Sequence, residues 1–134
     1  RLVAEKASSG AVFNESQAVY EYFAPRLKTL SQEKFLCLIL DVKNRLIREY
    51  EVSSGTLSES LIHPREAFKE AIRLAGAAVI FVHNHPSGDP EPSLKDLAIT
   101  ERLKQTGEIV GIKVLDHVIV GDGKYVSLAK RGYL

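Results

Sequence analysis

A chain of 134 residues, 45% apolar, holds about one domain's worth of material and enough apolar side chain to bury a core. Eighteen Lys and Arg against seventeen Asp and Glu leave a net charge of +1, with no long like-charge block, so nothing in the charge balance demands nucleic acid or an anionic membrane as partner. The one cysteine, Cys37, excludes an internal disulfide, lies in the apolar run FLCLIL as a core residue, and fits a reducing compartment.

The longest apolar run, AAVIFV, is far short of a membrane span, and the leading RLVAEKASSG has no secretory pattern. The expectation is a soluble cytoplasmic protein without a membrane partner. With no methionine anywhere, the chain is also expected to be a piece of something longer.

In chain order, NESQAVYEYFAPRL places Val19, Tyr22, Phe23 and Leu27 at helical spacing, with Asn14 or Ser16 as the cap. KFLCLILD reads as a buried strand, Lys43-Asn44 as a turn, and RLIREYEV as a strand in which charges alternate with apolar residues, together a hairpin. Gly55 breaks it, and TLSESLI continues as an extended piece. His63 precedes Pro64 and is expected to cap a second helix, PREAFKEAIRLAG, with Pro64 at its first position and Gly76 at its end. AAVIFVHNH is the most apolar strand. The loop PSGDPEP leads to a third helix, SLKDLAITERLKQTG, with Ser93 as cap and Gly107 as stop. EIVGIKVLDHVIVGDG and KYVSLA supply the last strands. Strands interleaved with helices predict an α/β fold: one mixed-sheet sandwich flanked by helices.

The chemistry concentrates in VHNHPSGDPEPSLKD. Residues two apart on a strand share a face, so His83 and His85 project side by side, about 7 Å apart, where the strand ends. Two imidazoles can then reach one ion. A catalytic zinc takes three protein ligands and keeps one position open, and Asp96 is the nearest third donor, carried by the helix that starts at Ser93. Ser93-x-x-Asp96 alone would be an ordinary helix cap with an acid in the first turn. Joined to H-x-H in register, it brings four apt residue types together, and the functional reading prevails. His117 is left outside the site.

The stretch HNHPSGDPEPSLKD resembles the JAMM metal motif of JAB/MPN domains, H-x-H followed by S-x-x-D. LDVKNRLI, the GTL turn at 55–57, IHPREAFKEAI and LDHVIVGDGKYVSL make the chain similar to the RadC branch from about Glu33 onward. The resemblance implies a cytidine-deaminase-like mixed sheet between helices. Residues 1–32 would form a lead-in and first helix and 33–134 the JAB/MPN domain, one structural domain overall. RadC-type proteins also carry an N-terminal region of helix-hairpin-helix character, which is expected to be the part missing from this piece.

The resemblance further implies zinc held by His83, His85 and Asp96, with Ser93 stabilising the oxyanion. Its glutamate, which activates water, is best matched by Glu33, immediately before the first buried strand; Glu49 and Glu51, which alternation would turn to solvent, rank behind. Asn84 stands where deubiquitinating members have serine, so ubiquitin-like substrates gain no support. The implied function is a zinc-dependent metallohydrolase that cleaves a peptide or isopeptide bond with zinc-activated water, its protein or peptide substrate unidentified and its oligomeric state open. The alternative is a DNA-repair-associated binding or scaffold domain whose metal is structural. Two rivals fall away: the HNH nuclease motif spreads over a ββα unit and is not a literal tripeptide, and a nucleotide deaminase needs an H-x-E and a Pro-Cys-x-x-Cys that one cysteine cannot supply.

Overall fold

A computed structural model describes residues 10–27, 29–55 and 62–134 of the chain. The first helix, α1 (Ser16–Leu27), buries Val19, Phe23 and Leu27, one residue per turn on one face. Of its two expected caps, Asn14 turns its side-chain oxygen to the Asn44 amide, 2.9 Å away, and Ser16 is already the first helical residue. A hairpin follows, β1 (Glu33–Leu40) and β2 (Leu46–Gly55). Its turn forms because Asn44 tolerates the left-handed region at φ 61° and the Asp41 carboxylate accepts from the N–H groups of Lys43 and Arg45. The extended piece expected at TLSESLI lies largely outside the described residues.

The next elements are α2 (Pro64–Arg73), β3 (Ala78–Asn84), α3 (Leu94–Val110), β4 (Lys113–Val120) and β5 (Tyr125–Ser127). One five-stranded sheet runs in the order β2-β1-β3-β4-β5; only β3 and β4 are parallel. This mixed sheet between helices is the α/β sandwich expected for a JAB/MPN fold.

The two-residue period of the strands sorts the core into two layers. Phe35, Cys37 and Ile39 of β1 and Val79 and Phe81 of β3 face α2 and α3, where they meet Phe68, Ala71, Ile99 and Leu103. Leu36, Leu38, Leu40, Ile80 and Val82 face the other way, under Val19, Phe23 and Leu27 of α1. Each such buried side chain contributes about 1.5–3 kcal/mol, so apolar packing on both faces holds β3 in place. Cys37 is one of these core residues, and burial pushes its thiol pKa up. Among the described residues no helix is long and apolar enough to cross a membrane.

Three expectations about punctuation are corrected. His63 occupies the position before α2, but its ring makes no cap hydrogen bond; Pro64, with no N–H and a preset φ, starts the helix without one. That helix ends at Arg73, ahead of Gly76, and Ala75 takes the left-handed φ of 55°. Gly107 does not stop α3. The helix continues to Val110 and ends on Gly111, φ 78°, whose N–H bonds back to the Gly107 carbonyl. Gly107 is buried inside the helix because there is no room for more: a Cβ would lie 2.4 Å from the Ile112 carbonyl oxygen. Glu108 to Val110 are therefore helix, and the strand begins at Lys113.

Candidate metal centre

The parallel connection β3–α3–β4 brings the C-terminal end of β3 against the N-terminal end of α3, the crevice where open α/β sheets collect ligands. Val79, Phe81 and His83 share the face toward α3, and His83 closes that row fully buried. The Phe35 ring stacks on it at 5.5 Å between centroids and 20° between planes. Beyond the strand, the His85 N–H still bonds to the Val120 carbonyl at 2.9 Å, so the second histidine is held before the loop departs.

From the other side, Ser93 and Asp96 close a capping box at the start of α3: Asp96 N–H donates to Ser93 Oγ at 3.0 Å, and Ser93 N–H donates to Asp96 Oδ2 at 2.9 Å. The cap and the proposed site are one construction. It points the buried carboxylate at both rings, with Oδ2 3.0 Å from His85 Nε2 and Oδ1 3.4 Å from His83 Nε2.

The donor set fits a cation on two observations. Ligand atoms of His83, His85 and Asp96 all lie within 4.8 Å of one another. Among the described residues, His83 Nε2 is the buried side-chain polar atom that lacks a hydrogen-bond partner. His85 adds a third point: its Nδ1 lies 2.8 Å from the Asp89 carbonyl, which can only accept, so Nδ1 carries the hydrogen and a neutral ring aims a lone pair at Asp96. A lone pair 3.0 Å from a carboxylate oxygen requires a proton or a cation there. This group of three can hold a metal ion.

The electrostatics express the same crowding. Burial acts to lower the His85 pKa, but the Asp96 carboxylate, the Asp89 carbonyl and the charge of Glu33 outweigh it and raise it. Burial acts to raise the Asp96 carboxyl, yet the His83 and His85 imidazoles and the Ser93 N–H hold it well below the usual carboxylate range.

Glu33 and Ser93 join His85, Pro86, Ser87, Lys95 and Asp96 around a cavity of about 420 Å³. The antiparallel pairing of Phe35 with His83, continued two residues, accounts for Glu33 standing across from His85. Glu49 and Glu51 are not at this cavity. Glu51 pairs with Lys34 at 3.4 Å, and Glu49 is only partly exposed, clamped at both oxygens by Arg26 of α1, which covers that face of the sheet. A cavity of about 330 Å³ on the α1 side is lined in part by Asp116, whose oxygens are already taken by His117 N, Ala129 N and Ser127 Oγ, and among the described residues no metal-ligand group lies there.

Three supporting roles escape sequence reasoning. His117, left outside the site, is buried with Nε2 2.8 Å from His83 Nδ1 and Nδ1 2.6 Å from Thr100 Oγ1. Burial, reinforced by the charge of His83, holds its pKa well below the ordinary imidazole value. Asn84, the middle residue of H-x-H, turns its buried carboxamide away from the histidines to the start of β1. The signal for Thr100 was its place one helical turn after Asp96; for His117 there was none, because its face depends on a register shift in β4.

A profile of the RadC-like JAB domain matches residues 13–133. The UPF0758 protein of Pelobacter propionicus is 54% identical over 122 residues, which cover 91% of this chain and 53% of that protein. The UPF0758 protein of Syntrophotalea carbinolica is 53% identical over 125 residues, 93% of this chain and 55% of that protein. That of Methanosarcina acetivorans is 50% identical over 116 residues, 87% of this chain and 51% of that protein. The chain thus spans about half the length of the curated relatives it matches. With a match across α1 and every strand of the sheet, the chain belongs to the RadC-like JAB domain family.

Proposed function

We propose that the chain is a metal-dependent hydrolase of peptide or isopeptide bonds, with zinc held by His83, His85 and Asp96. The observation that carries this reading is the unpartnered, fully buried His83 Nε2 facing Asp96 and His85, which themselves line an open cavity. Two nitrogens and one carboxylate form the donor set that zinc hydrolases use when one position stays open. A bound zinc would supply Lewis-acid chemistry, polarising a carbonyl and acidifying a water beside it.

The chain's own groups do the rest. Glu33, on the cavity wall near His85, takes the proton of the attacking water and delivers it to the leaving nitrogen. The Ser93 oxygen already accepts the Asp96 N–H, so its hydroxyl hydrogen is available to the carbonyl oxygen as that oxygen gains charge. The N-terminus of α3 favours negative charge at the same place. His83 and Asp96 are both buried.

The test is a zinc-loaded chain offered dipeptides, an unfolded protein and isopeptide-linked peptides, with nicked DNA in parallel. Hydrolysis of an amide that a chelator stops, that zinc restores and that Glu33→Gln abolishes is the expected result. Cleavage of DNA instead overturns the reading in favour of a nuclease, and a loaded protein inert toward every amide overturns it in favour of a structural metal.

A further inference from the structure

We infer that Thr100 and His117 are positioning residues that fix the proton on His83 Nδ1 and so keep His83 Nε2 a bare lone pair aimed at Asp96. This rests on the reading of His83, His85 and Asp96 as a metal-binding group. His85 needs no such help, because the Asp89 carbonyl fixes its tautomer. For His83 the partner is another imidazole, His117, 2.8 Å away, and a contact between two ring nitrogens does not by itself say which carries the hydrogen.

Thr100 resolves the ambiguity. Its Oγ1 lies 2.8 Å from the Asp96 main-chain carbonyl and 2.6 Å from His117 Nδ1, and a hydroxyl has one hydrogen. If that hydrogen went to His117, the hydroxyl and carbonyl oxygens would face each other at 2.8 Å with nothing between them. If it goes to the carbonyl, His117 Nδ1–H donates to Oγ1 and every contact holds one hydrogen. His117 Nε2 is then an acceptor, so His83 must donate from Nδ1. The hydrogen on His83 is thereby excluded from Nε2 in the neutral ring.

The chain of bonds also returns to the ligand group. It runs from His83 on β3 to His117 on β4, to Thr100 on α3, to the backbone of Asp96, and through the Asp96 side chain back toward His83. Three elements that meet only in the folded chain thus orient two ligands together, from groups that are all buried. Outer partners of metal-bound histidines act by this kind of orientation, and losing one typically costs about 10–100-fold in metal affinity.

The experiment uses the nitrogen-15-labelled chain near pH 8, where an ordinary imidazole is neutral, before and after removal of metal by a chelator. Long-range proton–nitrogen correlations should show His117 protonated at Nδ1 in both forms, and His83 protonated at Nδ1 and bare at Nε2 in the metal-free form. Zinc titrations then compare Thr100→Val, which removes the hydroxyl at nearly constant shape, with Thr100→Ser, which keeps it. Thr100→Val should lose about 10–100-fold in zinc affinity and redistribute the His117 hydrogen, and Thr100→Ser should restore both. A hydrogen on His117 Nε2 in the wild-type spectrum overturns the inference, as does wild-type affinity with unchanged ring protonation in Thr100→Val. Should Thr100→Val not fold, the wild-type spectrum and the Thr100→Ser titration still decide it. A wild-type chain that binds no zinc sinks the metal reading separately, and the spectrum then judges the proton arrangement alone.

Discussion

The carboxamide of Asn84 grips the main chain on both sides of Glu33: Oδ1 accepts from Lys34 N–H at 2.7 Å and Nδ2 donates to the Gln32 carbonyl at 3.0 Å. Strand alternation turns Asn84 away from the face that His83 and His85 occupy. The middle residue of H-x-H thus holds the backbone on either side of Glu33, while its neighbours belong to the group that could hold a metal ion. Asn84→Ala should leave an N–H and a carbonyl unpaired, lowering stability by about 1–3 kcal/mol in a urea melt. Zinc stoichiometry should stay as in the wild type and hydrolysis should fall. Loss of zinc together with activity would show that Asn84 supports the ligands instead.

Glu33→Gln keeps the shape of the side chain and removes no ligand, so zinc content should be unchanged. A lost general base costs about 10² to 10⁴ in rate, and the assay should register at least the lower figure. Glu49→Gln is the control. It weakens the pair with Arg26, worth up to about 1 kcal/mol at a partly exposed site, and should leave the rate unaltered. The opposite pattern would move the base to Glu49.

Gly121 seats the loop that follows His85. A Cβ there would lie 2.3 Å from the Gly88 carbonyl oxygen, which accepts the Asp122 N–H at 2.8 Å, and 2.7 Å from Pro90 Cδ. Gly121→Ala should therefore displace the segment that carries the Asp89 carbonyl and its bond to His85. Stability should drop by about 1–3 kcal/mol and zinc affinity with it. Gly107→Ala should cost a similar amount of stability, by pressing on the Ile112 carbonyl at the far end of α3, and leave zinc affinity alone. Melts with and without zinc separate the two; equal zinc affinity in both variants would contradict the role given to the loop.

What the sequence made legible was local. His83 and His85 two apart on an apolar strand, and Ser93 three before Asp96 at a helix start, are periodicities that survive folding unchanged, and they mark the group that could hold a metal ion. His117 was invisible for a physical reason. Val79 pairs with Val114, but Ile80 pairs with Asp116, so Leu115 is an extra residue in β4. Leu115 and Val118, which simple alternation would put on opposite faces, both pack on the α1 side, and the shift turns His117 toward His83 instead of toward α1. Gly107 misled in a similar way. A glycine reads as a stop until the neighbouring strand shows that its missing side chain makes room for Ile112.

Zinc content after dialysis against a mild chelator tests the ligand group most directly. The wild-type chain and Glu33→Gln should each retain one zinc per chain by elemental analysis, and His85→Ala and Asp96→Ala should retain none, because each loses one of only three protein ligands. Stoichiometric zinc in His85→Ala would contradict the ligand set.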